Sequence, residues 1–130
     1  MNLGDTFLWY HDSARRSRHL FIAVTDPQKN DGYFATFNAT FSKPESKAAL
    51  TLPVGSHPFL DKYPSDIAYG EGSIIHVGTV EELKRRRKAD TMPPMDMKWV
   101  ELIAKKAIGN WTVPEEVEEY VKREWKSLVS

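Results

Sequence analysis

The chain has 130 residues, enough for one folded domain with a real core, and its 41% hydrophobic and 28% charged residues exclude a disordered chain. Lysine and arginine number 18 and so do aspartate and glutamate, a balance that argues against coating nucleic acid by bulk charge. Cysteine is absent, which removes disulfide scaffolds and thiolate metal sites.

The start, MNLGDTFLWYHD, lacks the charged-then-apolar pattern of a secretory signal. No apolar stretch approaches the roughly 18–20 residues that span a bilayer. The expectation is a cytoplasmic protein with no membrane partner, organised as a single domain over 1–130.

The first three-fifths reads as short strands. Thr6 to Tyr10 is β-branched and aromatic and follows a Gly4-Asp5 turn signal. The run HLFIAVT at 19–25 is almost continuously apolar and stops at Asp26-Pro27, which suits a strand buried on both faces. Asn30-Asp31-Gly32 is a turn, and Tyr33 to Phe41 follows with partial alternation, so 26–41 reads as a hairpin arm. Residues 49–52 and 73–77 are further short strands. Five strands at this spacing, with no room for an early crossover helix, predict a small barrel or a strongly bent sheet over 1–78.

The last two-fifths changes period. Thr79-Val80-Glu81-Glu82 has the form of a capping box, predicting a helix to about Lys88 whose acidic start and basic end suit the helix dipole. ADTMPPM at 89–95 reads as a Pro-broken connector. From about Asp96, Trp99, Val100, Ile103, Ala104 and Ala107 repeat at helical spacing, with Gly109 as the stop. A last helix starts at Thr112-Val113-Pro114-Glu115 and carries the stripe Val117, Tyr120, Val121, Trp125 and Leu128. The fold class is therefore mainly β (α+β), a β-body followed by helices over 79–130 that pack on it.

Several chemistries lack their sequence signatures. There is no Gly-rich phosphate loop, no His-Glu-x-x-His and no acidic calcium loop. The four histidines, His11, His19, His57 and His76, lack metal-ligand spacing, so neither a metal nor a cofactor is expected. His57 sits between a Gly turn and Pro58, where an imidazole either acts as acid or base or hydrogen-bonds the turn. DKYPSDIAY at 61–69 offers Tyr63, Ser65, Asp66 and Tyr69 as substrate-orienting groups or as a packed surface loop. Arg15, Arg16, Arg18 and His19 could bind phosphate, as could Thr40 and Lys43 at the end of a strand; each is equally readable as solvated surface. The run KRRRK at 84–88 reads as a solvated helix end.

The order GDTFLW, a basic loop ending Arg18-His19, LFIAVTD and FATFNATFSK resembles the start of the PemK/MazF family of toxins, over about 4–77. That family opens with a Gly-Asp strand, a Gly-x-Arg-Pro loop and an apolar strand. The resemblance implies a small SH3-like β-barrel, usually a homodimer, acting as a metal-independent endoribonuclease on single-stranded RNA and neutralised by a cognate antitoxin. Arg18 matches the family's loop arginine and Thr40 its strand-end threonine, both of which contribute to cleavage there. His19 stands in place of the motif's proline and Arg16 in place of its glycine, so the fold without the activity is also admitted.

A ribonuclease needs a base for the 2′-OH, a cation for the crowded phosphorane and an acid for the leaving oxygen. His57 is the candidate base or acid, Arg18 the phosphate stabiliser and Thr40 a positioning hydroxyl; His19, Lys43 and Tyr69 are the candidate substrate-binding residues. The rival reading is a non-catalytic module that binds nucleic acid or a protein partner through Trp9, Tyr10, Tyr63 and Tyr69. Convergence of Arg18, Thr40 and His57 on one cleft favours the enzyme, and scatter favours the module. A third reading makes the helical tail the working part and predicts exposed Trp99 or Trp125.

Overall fold

The computed structural model describes residues 1–10 and 18–129. It is an α+β fold in which seven antiparallel strands form one sheet and three helices lie in the C-terminal half. The strands are β1 (Thr6–Tyr10), β2 (Arg18–Ala23), β3 (Tyr33–Phe41), β4 (Thr51–Leu52), β5 (Ser65–Ile67), β6 (Ser73–His76) and β7 (Ala89–Met92). They run β4-β5-β3-β2-β1-β7, with β6 on the same side of β3 as β5 but at its other end. Among the described residues the ladder does not close, so the expected barrel is an open sheet.

Two of these strands fall where local sequence carries no strand signal. β5 lies inside the segment read as a polar loop, and β7 inside the one read as a Pro-broken connector. Both are short and have strong partners: β5 pairs with Ala39–Phe41, and β7 pairs with Thr6–Trp9. Tertiary pairing overrides local propensity in each.

β2 behaves as its apolar run predicts, whereas β3, read as partly alternating, is buried continuously in its middle. Leu20, Phe21, Ile22 and Ala23 are all buried, as are residues 34–39, because the sheet is covered on both faces. On one face Leu8, Leu20, Ile22, Ala35 and Phe37 pack against α2 (Met97–Ala107) and α3 (Glu115–Glu124). The buried helix positions are Val100, Ile103, Ala104 and Ala107 with Val117 and Val121, the expected stripes. On the other face Phe7, Phe21, Phe34 and Ile75 pack under Val80 of α1 (Val77–Arg85).

Helix ends follow from their caps. Asp96 accepts from the Lys98 N–H at 3.0 Å and starts α2; Gly109, at φ +82°, follows its end in a conformation that favours glycine. α1 departs from expectation. The Nδ1 of His76 accepts from the Gly78 N–H at 2.9 Å, which caps the helix three residues before Thr79 and leaves Thr79 inside it. Gly32 explains why the turn before β3 needs its glycine: φ is +88°, and a Cβ there would stand 2.5 Å from the His76 ring. In the tail, Trp99 and Trp125 are half-buried rather than exposed, and the Trp125 Nε1–H donates to the Val24 carbonyl at 2.8 Å. Trp111 is the exposed tryptophan, at 93%.

Candidate nucleic-acid interface

The segment between β4 and β5 is shaped from inside by His57. Its imidazole is 1% exposed. Nδ1 accepts from the Phe59 N–H at 3.0 Å, so this nitrogen carries no proton. The Nε2–H points at the Pro93 carbonyl at 2.7 Å, with the Thr6 hydroxyl 3.1 Å away donating to that same oxygen. Burial lowers the pKa of His57, and the bond to the Pro93 carbonyl offsets this only in part. The neutral ring thus ties the loop to β1 and to the chain leaving β7.

Held this way, the loop raises one wall of a cleft of about 640 Å³. Arg18, His19, Phe41, Phe59, Lys62 and Tyr63 line it, and the Asp61 side is its acidic corner. The Arg18 guanidinium lies 5.1 Å from the centre of the Phe59 ring, a cation–π distance. Phe41 and Tyr63 meet edge to face at 5.0 Å, yet are 56% and 59% exposed. The two rings together form an exposed aromatic patch beside the cleft.

A second hollow of about 400 Å³ lies across that ring pair, sharing Phe41 and Tyr63 with the first. Lys43, Ser46 and Thr51 line it. Behind its wall stands Asp66, whose carboxylate accepts from the Thr51 hydroxyl at 2.6 Å and from the Ser46 hydroxyl. Burial raises the Asp66 pKa, but the hydrogen bonds from Ser46, Thr51 and Ser42 outweigh it and hold the carboxyl below its usual value.

The residues singled out in the sequence are therefore distributed as follows. Arg18 and His19 line the first cleft and Lys43 the second hollow. Thr40 lies between Ala39 and Phe41 on β3; strand alternation points it to the face opposite the cleft. His57 is buried behind the wall and does not line the cleft. Tyr69 is in the core: its ring packs edge-on against Phe37 at 5.0 Å and its hydroxyl donates to the Ile103 carbonyl at 2.8 Å. Burial raises its pKa. Arg15, Arg16 and His11 lie outside the described residues.

Of the aromatic surface expected for a binding module, Tyr63 is exposed. Tyr10 is buried, with its hydroxyl donating to Asp90 at 2.5 Å, and Trp9 is half-buried against Phe21. Phe41 and Phe59 are not legible as site residues, since nothing in a lone phenylalanine at a strand end or after a proline signals exposure. The run at 84–88 pairs largely with its own helix: Lys84 with Glu81 at 3.0 Å, and Arg85 and Arg86 with Glu82 at 2.6 and 3.0 Å.

No group of three or more His, Asp or Glu side chains placed to hold a metal ion occurs among the described residues. No described helix is long and apolar enough to cross a membrane. In comparison with known proteins, the chain matches no family model and no curated sequence.

Proposed function

We propose that this chain is a binding module for single-stranded RNA that holds its ligand without cutting it. The observation that carries this reading is the exposed Phe41–Tyr63 pair set between the cations Arg18, Lys62 and Lys43. Single strands are held by bases stacked on aromatic rings and by cations that follow the phosphates, and such sites need neither a metal nor a base. Cleavage would need Arg18, Thr40 and His57 around one phosphate. Arg18 lines the cleft, Thr40 belongs to the opposite face of β3, and both nitrogens of His57 are already engaged.

The test is fluorescence anisotropy of a labelled, unstructured RNA with the full chain in EDTA, with the RNA recovered and sized afterwards. The module reading expects saturable binding of RNA that stays intact. Tyr63→Ala and Arg18→Ala should each weaken binding about five- to tenfold. Metal-independent cuts that disappear in Arg18→Ala would instead restore the ribonuclease, and binding unchanged in both variants would remove the cleft as the interface.

A further inference from the structure

The second hollow has a polarity that the first does not. A hydroxyl offers one donor and two acceptor lone pairs. The Thr51 and Ser46 hydroxyls both spend their protons on Asp66. What they present outward is therefore acceptor oxygen. Ser46 Oγ already accepts from the Ala48 N–H at 3.2 Å, which leaves Thr51 Oγ1 as the better placed acceptor. Thr51 is exposed, and beside it stand the ammonium of Lys43 and the outer sides of Phe41 and Tyr63. The hollow thus combines an aromatic wall, one cation and an acceptor held in orientation by a carboxylate.

Resting on the RNA-binding reading, we infer that this hollow is a second nucleotide subsite on the same strand. The strand crosses the Phe41–Tyr63 pair, one base lying in the first cleft and the next in the hollow. Lys43 takes the phosphate at the crossing. The second base stacks on the aromatic wall and donates a ring or exocyclic N–H to Thr51 Oγ1. Among the described residues Lys43 is the only charged side chain lining the hollow, and its charge complements a phosphate. Asp66 does not repel the strand directly, because its two oxygens face the Thr51 and Ser46 hydroxyls. A base edge bearing only acceptors would meet the Thr51 oxygen unfavourably, so the subsite discriminates by donor position rather than by shape alone.

The experiment compares a labelled mononucleotide with an RNA dinucleotide on the full chain, in the wild type and in Thr51→Val, Lys43→Ala and Arg18→Ala. Valine keeps the shape of threonine and removes the acceptor. The wild type is expected to bind the dinucleotide about tenfold more tightly than the mononucleotide, the gain of one stacked base. Thr51→Val and Lys43→Ala should erase most of that gain, whereas Arg18→Ala should weaken both lengths and leave the gain in place. A length gain that survives in both Thr51→Val and Lys43→Ala would overturn the second subsite while leaving the RNA-binding reading intact. Failure of the dinucleotide, and of longer RNA, to bind the wild type would overturn the RNA-binding reading itself. Thermal melts of the variants separate a lost contact from a lost fold: the Lys43 side chain is exposed and its backbone carbonyl, which accepts from the Ser46 N–H at 2.9 Å, is kept in alanine, so Lys43→Ala keeps the test decisive should Thr51→Val loosen the Asp66 cluster.

Discussion

His57 holds the Pro93 carbonyl at 2.7 Å across 36 residues of sequence, and the same ring accepts the Phe59 N–H on its other side. One neutral imidazole thereby joins the loop that carries the cleft's aromatic wall to the chain that leaves β7. The donor–acceptor order matters. Nε2 must carry the proton and Nδ1 must not, so a doubly protonated ring cannot make both bonds.

His57→Ala is expected to destabilise the fold by about 2–3 kcal/mol, since it opens a cavity and leaves the Pro93 carbonyl with one donor fewer. Urea denaturation of wild type and variant measures this directly. The same variant should loosen the Phe59 wall, so RNA affinity should fall even though His57 does not line the cleft. A loss of affinity with no loss of stability would mean that the ring acts on the ligand and not on the loop.

The pH dependence has a definite sign. Burial depresses the pKa of His57 in the folded chain, so below roughly pH 6.5 the unfolded chain binds a proton that the native chain resists. Stability is then full above the unfolded value and declines as pH falls through it toward the lower native value. His57→Ala should flatten the profile between about pH 5 and 7, where carboxylates contribute little. Parallel profiles for wild type and variant, read from urea midpoints across that range, would show that protonation of another group sets the slope.

Asp66 anchors a different segment. Its carboxylate gathers the hydroxyls of Ser46 and Thr51, and the Ile67 N–H reaches the Leu50 carbonyl at 3.1 Å alongside them. Asp66→Ala removes the acceptor from both hydroxyls, for an expected loss of about 1–2 kcal/mol. Hydrogen exchange should report faster exchange at Ala48 and Ile67, whose partners lie in this cluster, and unchanged exchange at Leu20 and Phe37 in the central strands. Uniform acceleration across the sheet would mean that Asp66 supports the whole fold rather than one loop.

The long elements were legible because their patterns exceed what a turn can contain. β2 announces itself as an apolar run and β3 as a partly alternating one, and α2 and α3 as stripes at helical spacing, α2 bounded by Asp96 and Gly109. β5 and β7 were not legible, since three or four residues carry no period and their pairing is decided by Ala39–Phe41 and Thr6–Trp9. The α1 start was misread for a related reason: the Thr79 pattern is local, whereas the cap used is His76, held against Gly32 and Asp31 by the turn 45 residues earlier. At the site, Arg18 and His19 were legible as a basic step before a buried strand. Burial of His57 and Tyr69 was not, because a polar ring in a Pro- and Gly-rich segment reads as surface until its partners, Pro93 and Ile103, are known.

Salt dependence distinguishes a strand held along its phosphates from a ligand held by aromatic contact alone. Arg18, Lys43 and Lys62 are the exposed cations lining the two hollows, and each phosphate neutralised on a single strand adds about −0.7 to the slope of log affinity against log salt. Three contacts give an expected slope of about −2. Lys62→Gln should reduce its magnitude by about 0.7 and lower affinity at every salt concentration, with the stability of the chain unchanged. Tyr63→Ala should behave in the opposite manner, lowering affinity while leaving the slope intact, because a stacked base releases no counterion. A titration from about 0.05 to 0.2 M salt resolves the two patterns. A slope near zero in the wild type would mean that these cations do not carry the strand, and the aromatic pair would then have to hold its ligand without phosphate contacts.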